Sequence, residues 1–324
     1  MSKLKYALYT GCTAKESTPE LLSSTLAVAK KLDIELVDLV EASCCGASHL
    51  QDFDELLSLT LNARNICYAE KRGLDIITIC NTCQLNLVTT KERLDHDPEM
   101  KAKVNEALAE YGLEYKGTSQ IRHFLYALID DYGLDNIQAK VTNPLHGHNV
   151  APFYGCHNIR PSHLHYKHNQ PQPVLEAGEG GGEVSYDSEE FLGKYNHHED
   201  PYNPTSLDML IKALEGNSVD YESKNKCCGF HVDLQAPQTS NALSGTALLD
   251  AIDNNADMMV TPCPLCQLNL DLKQDSAGKQ LGREIELPVL HMPQMVALAL
   301  GCAPEEIGLE RNVTSATHLA YTAS

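Results

Sequence analysis

Tryptophan is absent from the 324 residues, and phenylalanine occurs only five times. Apolar residues still make up 43% of the chain, enough for ordinary globular cores, so wholesale disorder is excluded. Basic residues are also in short supply. Against 44 Asp and Glu stand 25 Lys and Arg, a formal charge of −19. A field that negative disfavours nucleic acid and anionic membrane surfaces as main partners. No stretch reaches about 18 consecutive apolar residues, so no transmembrane span is expected. The opening MSKLKYALYT has no long apolar core after its lysines and reads as a short strand rather than a signal peptide. A reducing, cytoplasmic setting is expected, and there cysteines are more often metal ligands or catalytic groups than disulfides.

Cysteine is what the chain has. There are twelve. With Cys67 and Cys302 set aside, the rest fall into two sets of five: Cys12, Cys44, Cys45, Cys80 and Cys83, then Cys156, Cys227, Cys228, Cys263 and Cys266. In each half 34 residues separate the vicinal pair from the next cysteine. The flanks repeat as well. Tyr9-Thr10-Gly11-Cys12 matches Tyr154-Gly155-Cys156, Cys44-Cys45-Gly46 matches Cys227-Cys228-Gly229, and Cys-Gln-Leu-Asn-Leu stands at both 83–87 and 266–270. The chain is an internal duplication, too long in period for a solenoid. The halves are expected at 1–145 and 146–324. Between Cys12 and Cys44 lie 31 residues, but between Cys156 and Cys227 lie 70. The excess, about 167–203 and rich in Gly, Pro, Glu and His, reads as an inserted loop.

Strands are predicted at Lys5–Tyr9, Ile34–Val40 and Asp75–Ile79, then at Val150–Tyr154, Val219–Tyr221 and Met258–Thr261. Helices are predicted from Thr18-Pro19-Glu20 to about Leu32, with Thr18 as N-cap, and over Phe53–Arg72, with Phe53, Leu56, Leu57, Leu61 and Ile66 on the apolar face. Others open at about Cys83 and Ser206, and another covers about Asn241 to Asp253. Alternating strands and helices give an α/β fold with mostly parallel sheets. Each cysteine group follows the carboxyl end of a strand, the edge where an open α/β sheet forms its binding crevice.

Five thiolates exceed the four of a tetrahedral zinc or an ordinary [4Fe–4S] cubane. The spacing therefore points to metal, either an unusual cluster or a cubane beside one redox-active cysteine. A metal-free thiol–disulfide system and inert buried cysteine are the alternatives. Vicinal cysteines disulfide-bond to each other only with strain. No Walker or dinucleotide fingerprint occurs, and Gly178 to Gly182 follows no strand, so a partner must supply or remove electrons.

The doubled pattern Cys, Cys-Cys-Gly, Cys-x-x-Cys resembles the CCG-domain family, whose best-known member is the B-type subunit of heterodisulfide reductase. The resemblance runs from about Tyr6 to Leu309 apart from the insertion. It implies two pseudo-symmetric CCG domains, each a small mostly parallel sheet flanked by helices. It also implies two noncubane [4Fe–4S] clusters, with Cys12, Cys44, Cys45, Cys80 and Cys83 on the first and Cys156, Cys227, Cys228, Cys263 and Cys266 on the second. Cys45 and Cys228 are the candidates for catalysis within the sets. The segments DYGLDNI, PFYGC-HNIRP, TPCPLCQLNLD and LPVLHMPQMVALALG are similar to two branches. One is the heterodisulfide reductase-like complex of sulfur oxidisers, acting on a small thiol or disulfide or on lipoate-linked sulfur. The other is the CCG subunit of succinate dehydrogenase, which passes electrons to quinone or docks at the inner face of the membrane. Either implies flavin-bearing and ferredoxin-like iron–sulfur partner subunits, and the first is favoured because both five-cysteine sets are complete. A structural zinc module is the third reading, with zinc as the alternative occupant.

His157 and His231 flank the second set and are candidates to donate a proton or hydrogen-bond a bound sulfur. His146, His148, His163, His165, His168, His197 and His198 read as part of a polar insertion and its surroundings. Lys15 and Arg160, close after Cys12 and Cys156, read as solvated surface. Cys67 and Cys302 read as ordinary buried cysteine. Met292–Leu300 has apolar helical spacing and is expected to pack on its own sheet, with a membrane or partner contact as the alternative.

Overall fold

The computed structural model describes residues 3–47, 49–160 and 199–320. The first half builds one parallel sheet from β1 (Lys5–Tyr9), β2 (Glu35–Asp38), β3 (Ile76–Thr78) and β4 (Ile121–His123), in the order β2-β1-β3-β4. The second half builds another from β5 (Asn149–Pro152), β6 (Asn217–Ser218), β7 (Met258–Thr261) and β8 (Val289–His291), in the order β6-β5-β7-β8. The two orders are the same, and so are the registers. Ala7 pairs with Ile76 and Ile76 with Ile121, while Val150 pairs with Met258 and Met259 with Val289. All of these strands run parallel, so each connection crosses over through a helix.

From β1 the chain steps outward one way to β2 and the other way to β3. The gap between β1 and β3 is therefore the switch point of the first sheet, and that between β5 and β7 is the switch point of the second. Gly11-Cys12 leaves β1 and Cys80 leaves β3. Gly155-Cys156 leaves β5 and Cys263 leaves β7. The topology alone brings each pair of loops to one crevice.

Six helices position the rest: α1 (Pro19–Lys31), α2 (Glu55–Glu70), α3 (Asn81–His96), α4 (Pro237–Asp253), α5 (Pro264–Leu272) and α6 (Met292–Ala299). The halves share their cores. Leu21 and Val28 of α1 lie in one apolar cluster with Met295 and Val296 of α6. Around that contact Glu20, nearly buried, takes Arg311 at 2.8 Å and stands 3.6 Å from the His291 imidazole. The residues of α6 are all buried, so Met292–Leu300 does pack inside its own protein.

Some elements depart from expectation. The sequence pattern contains three strands per half, and the structure has four. The fourth strands, β4 and β8, have three residues each, too few to display an alternation. The helix expected over Phe53–Arg72 is broken at Asp54, an extended residue whose carboxylate accepts the Leu57 N–H and restarts the helix. Phe53, Leu56 and Leu57 are exposed, Ile66 is buried as the spacing predicts, and Leu59 and Ala63 join it on the inward face. The strand expected at Val219–Tyr221 lies two residues earlier, at β6. Thr18 sits at the N-cap of α1, but its hydroxyl turns back to the Thr13 carbonyl instead of capping. α4 begins at Pro237, ahead of Asn241, with proline in its first turn where the missing N–H costs nothing. Most of the expected insertion, with His163, His165, His168, His197, His198 and Gly178 to Gly182, lies outside the described residues.

Candidate functional site

Each set of five is assembled by the same local devices. Gly11 and Gly155 precede the first cysteine with φ of +72° and +71°. A Cβ at Gly11 would lie 3.0 Å from the Cys83 sulfur, and one at Gly155 would lie 2.9 Å from the Cys266 sulfur. Only glycine accepts that backbone at that distance. After the vicinal pair, the Gly46 N–H points to the Cys44 sulfur and the Gly229 N–H to the Cys227 sulfur, both at 3.4 Å.

The repeated Cys-Gln-Leu-Asn-Leu is explained by what its side chains hold. Asn86 donates to the Cys45 carbonyl at 3.3 Å and also to Ala47, and Asn269 donates to the Cys228 carbonyl at 2.6 Å. Gln84 donates to the Ile121 carbonyl and Gln267 to the Val289 carbonyl, tying each helix to its fourth strand. Leu87 and Leu270 are fully buried. The five-residue identity marked these asparagines and glutamines, but periodicity and composition gave them no role.

The sulfurs form one string. Cys12 and Cys44 are 3.5 Å apart and Cys45 and Cys83 are 3.6 Å apart. Cys44 touches Cys45, and Cys83 touches Cys80. Cys80 then meets Cys263 of the other half. From there the order is Cys263, Cys266, Cys228, Cys227, Cys156. Read from either end, it passes through the same positions of the repeat. Every one of these cysteines is free of disulfides. The ends are the more open part, with Cys12 and Cys44 exposed and Cys156 half-buried, while Cys80, Cys83, Cys263 and Cys266 are buried.

Crowding sets their protonation. Cys45 is drawn well below the usual thiol range by hydrogen bonds from Cys44 and Cys83, and Cys227 is drawn down by Cys156 and Cys228. Contacts with Cys45 and Cys80 push Cys83 up, and contacts with Cys228 and Cys263 push Cys266 up, in both cases helped by burial. Neighbouring thiols thus share charge, some ionised and some protonated, because a buried row of thiolates repels itself. Bound metal removes that conflict, since a coordinating thiol is deprotonated outright. The spacing fits as well. Two sulfurs about 2.3 Å from one ion stand about 3.8 Å apart at tetrahedral angles. Among the described residues, however, no three His, Cys, Asp or Glu side chains gather about a single ion position.

The two histidines expected to flank the second set do come together there. The His157 and His231 rings are 4.9 Å apart, and His49 lies 6.0 Å beyond His231. The His157 Nδ1 is 3.0 Å from the Thr82 hydroxyl. His157, His231 and Thr82, with Asn81, Phe230 and Leu265, wall a small crevice of about 10 Å³ over Cys156, Cys227, Cys228, Cys263 and Cys266. Burial lowers both imidazoles. Sequence reasoning found His157 and His231 but missed Asn81 and Thr82, which come from the other half.

The remaining candidates lie elsewhere. Lys15 is exposed, and Arg160 donates to the Asn225 and Pro201 carbonyls. His146 pairs with Glu215 at 2.9 Å. Cys67 and Cys302 are buried away from the string, with Cys67 pushed up to about 12 by burial.

A family model described as a cysteine-rich domain, CCG, matches residues 6–88 and 192–271. The 8-methylmenaquinol:fumarate reductase membrane anchor subunit of Wolinella succinogenes is 35% identical over 97% of this chain and 99% of its own length. The B-type subunit of the ferredoxin/F(420)H(2)-dependent CoB-CoM heterodisulfide reductase of Methanosarcina acetivorans is 34% identical, covering 95% of this chain and 93% of that protein. An Archaeoglobus profundus protein, named as similar to the B-type subunit of heterodisulfide reductase, is 31% identical over 94% of this chain. The crystal structure of a hypothetical protein from Helicobacter pylori shares the fold, with a TM-score of 0.73 at 17% identity. That match covers 97% of this chain but 52% of the other.

Proposed function

The chain belongs to the CCG family of cysteine-rich domains and is an oxidoreductase subunit, and from that premise we propose that it carries out thiol–disulfide chemistry in a heterodisulfide reductase-like complex. The observation that carries this reading is the gathering of ten free cysteines in two matched sets that face each other at Cys80 and Cys263. Cys12, Cys44, Cys45, Cys80 and Cys83 would hold one [4Fe–4S] cluster of the noncubane type, and Cys156, Cys227, Cys228, Cys263 and Cys266 a second. When bound, such clusters supply one-electron transfer at thiolate-held iron.

The chain's own residues do the rest. The crevice beside the second set holds about 10 Å³, so a small sulfur group, or the end of a lipoate-like arm, would approach this wall once it opens. His157, His231 and Thr82 line it, with the Thr82 hydroxyl 3.0 Å from the His157 Nδ1. Reduction of a disulfide takes two electrons and two protons and releases two thiols. The electrons come from partner subunits with flavin or ferredoxin-like centres, and the imidazoles are placed to hand on the protons. Cys45 and Cys228, buried in the middle of their sets, are assigned to the reacting centres. The exposed Cys12 and Cys44, with Phe53, Leu56 and Leu57 exposed just beyond the Gly46 turn, offer a partner its approach.

A second reading rests on the fumarate reductase relative, which matches at 35% identity over nearly its whole length. In that reading the same clusters relay electrons in a succinate or fumarate complex with no sulfur substrate. No helix among the described residues is long and apolar enough to cross a membrane. With α6 buried, a membrane approach would be peripheral and use another face.

The test is anaerobic purification of the full chain. Brown protein with about eight irons, reducing a small heterodisulfide with an artificial donor, is the expected result. Iron-loaded protein with no disulfide activity, but required for quinol-linked fumarate or succinate turnover, selects the second reading. Colourless protein with one or two zinc ions per chain overturns both.

A further inference from the structure

The repeat is broken at three places around the second set. The register fixes the equivalent positions. His123 pairs with Thr78 as His291 pairs with Thr261, and Cys80-Asn81-Thr82-Cys83 corresponds to Cys263-Pro264-Leu265-Cys266. The first-half members reach across. Asn81, buried, donates its Nδ2 to the Tyr154 carbonyl at 2.8 Å, two residues before Cys156. His123, fully buried, has its Nε2 3.0 Å from the Pro262 carbonyl, one residue before Cys263. Its tautomer is settled by the contacts. Nδ1 accepts the Leu125 N–H at 3.1 Å, so the proton sits on Nε2 and is donated to Pro262. Thr82 meets His157, next to Cys156.

The second-half counterparts cannot return the favour. Pro264 and Leu265 have no side-chain donor. His291 instead stands 3.6 Å from Glu20, on α1. The symmetry of the sulfurs is thus laid over an asymmetric frame.

We propose that Asn81 and His123 are positioning residues which the first half contributes to the second cysteine set, so that this set is complete only when the two halves are docked. Their N–H groups hold the carbonyls that lead into Cys156 and Cys263 and thereby fix where those two sulfurs point. The first set receives no such pair from the second half among the described residues. The two sets therefore differ in what they depend on, even though their ligands are the same. The proposal rests on the reading that both sets hold redox metal, and its test separates the two.

The full chain is prepared as wild type, His123→Phe, His123→Gln and Asn81→Leu. Phe keeps the bulk without the donor, and Gln places an amide N–H near Nε2. The first measurement is iron and acid-labile sulfide per chain. His123→Phe and Asn81→Leu should lose about half of each, while His123→Gln should stay near wild type. The second uses chelator-stripped protein, with iodoacetamide labelling followed by peptide mass spectrometry. Cys156 and Cys263 should label at least about tenfold faster in His123→Phe and Asn81→Leu, with Cys45 unchanged and His123→Gln close to wild type. A chain without iron in any form defeats the functional reading, and the labelling still judges the brace. Equal effects on both sets, or Gln behaving as Phe, overturn the proposal. If His123→Phe does not fold, Asn81→Leu against wild type decides by the same two readouts.

Discussion

Cys80 and Cys263 face each other across the boundary between the two halves, each standing just after the third strand of its own sheet. Among the described residues it is where the sulfurs of the two five-cysteine loop systems meet. Both side chains are buried, so the joint lies away from solvent.

Serine at either side of the joint should act on its own set first. Cys80→Ser and Cys263→Ser replace a soft ligand with a poor one. Iron should fall from about eight to about four per chain in each. The surviving signal should differ between the two variants, because different sets remain. Iron and sulfide counts with low-temperature electron paramagnetic resonance check this. Retention of both sets in Cys80→Ser would refute its ligand role.

The paired asparagines should not be equal. Cys45 O accepts from Asn62 at 3.0 Å as well as from Asn86, whereas among the described residues Asn269 alone gives Cys228 O a side-chain donor. Removing a sole partner leaves a buried carbonyl unsatisfied, at about 1–3 kcal/mol. Asn269→Leu should therefore destabilise by that amount and Asn86→Leu by less, as read by denaturant unfolding.

Gly155→Ala should be worse than an ordinary surface substitution. It puts a Cβ at φ +71° and 2.9 Å from the Cys266 sulfur, with the Asn81 amide at 3.1 Å. The backbone alone costs about 1–3 kcal/mol. Thermal unfolding should shift down accordingly, and iron should be lost from the second set more than from the first.

His123 should make stability depend on pH in one direction. Burial pushes its imidazole from 6.5 down to about 4, against the opposing charge of Cys263. Between those values the unfolded chain binds the proton and the folded chain does not. Stability is then full above about pH 6.5 and falls as pH drops toward 4, by on the order of 3 kcal/mol. Unfolding of wild type and His123→Phe at pH 7 and pH 4.5 tests it, and the variant should lose that part of the acid dependence.

Much of the architecture could be read before the structure. Lys5–Tyr9 is a strand as the pattern predicts, and strand ends followed by cysteine were enough to foresee convergence. What escaped was tertiary. β4 and β8 are too short to carry a pattern, and nothing local in RHF or LHM distinguishes a donor to the other half from a buried imidazole near a carboxylate. Phe53 was misplaced because apolar spacing continues through Asp54, while the capping carboxylate there turns the helix. The meeting of Cys80 with Cys263 depends on how the two sheets dock, which no spacing within one repeat encodes.

A sulfur string with open ends and a closed middle has a bearing on damage in air. Oxidants and electrophiles reach Cys12 and Cys44 first, while Cys80 and Cys263 lie behind packed protein. Corrosion should therefore proceed inward from the first half's outer end, and partly damaged protein should be a mixture in which the deep sulfurs survive longest. For this chain, the age of a preparation ought to be legible from which cysteines have been lost.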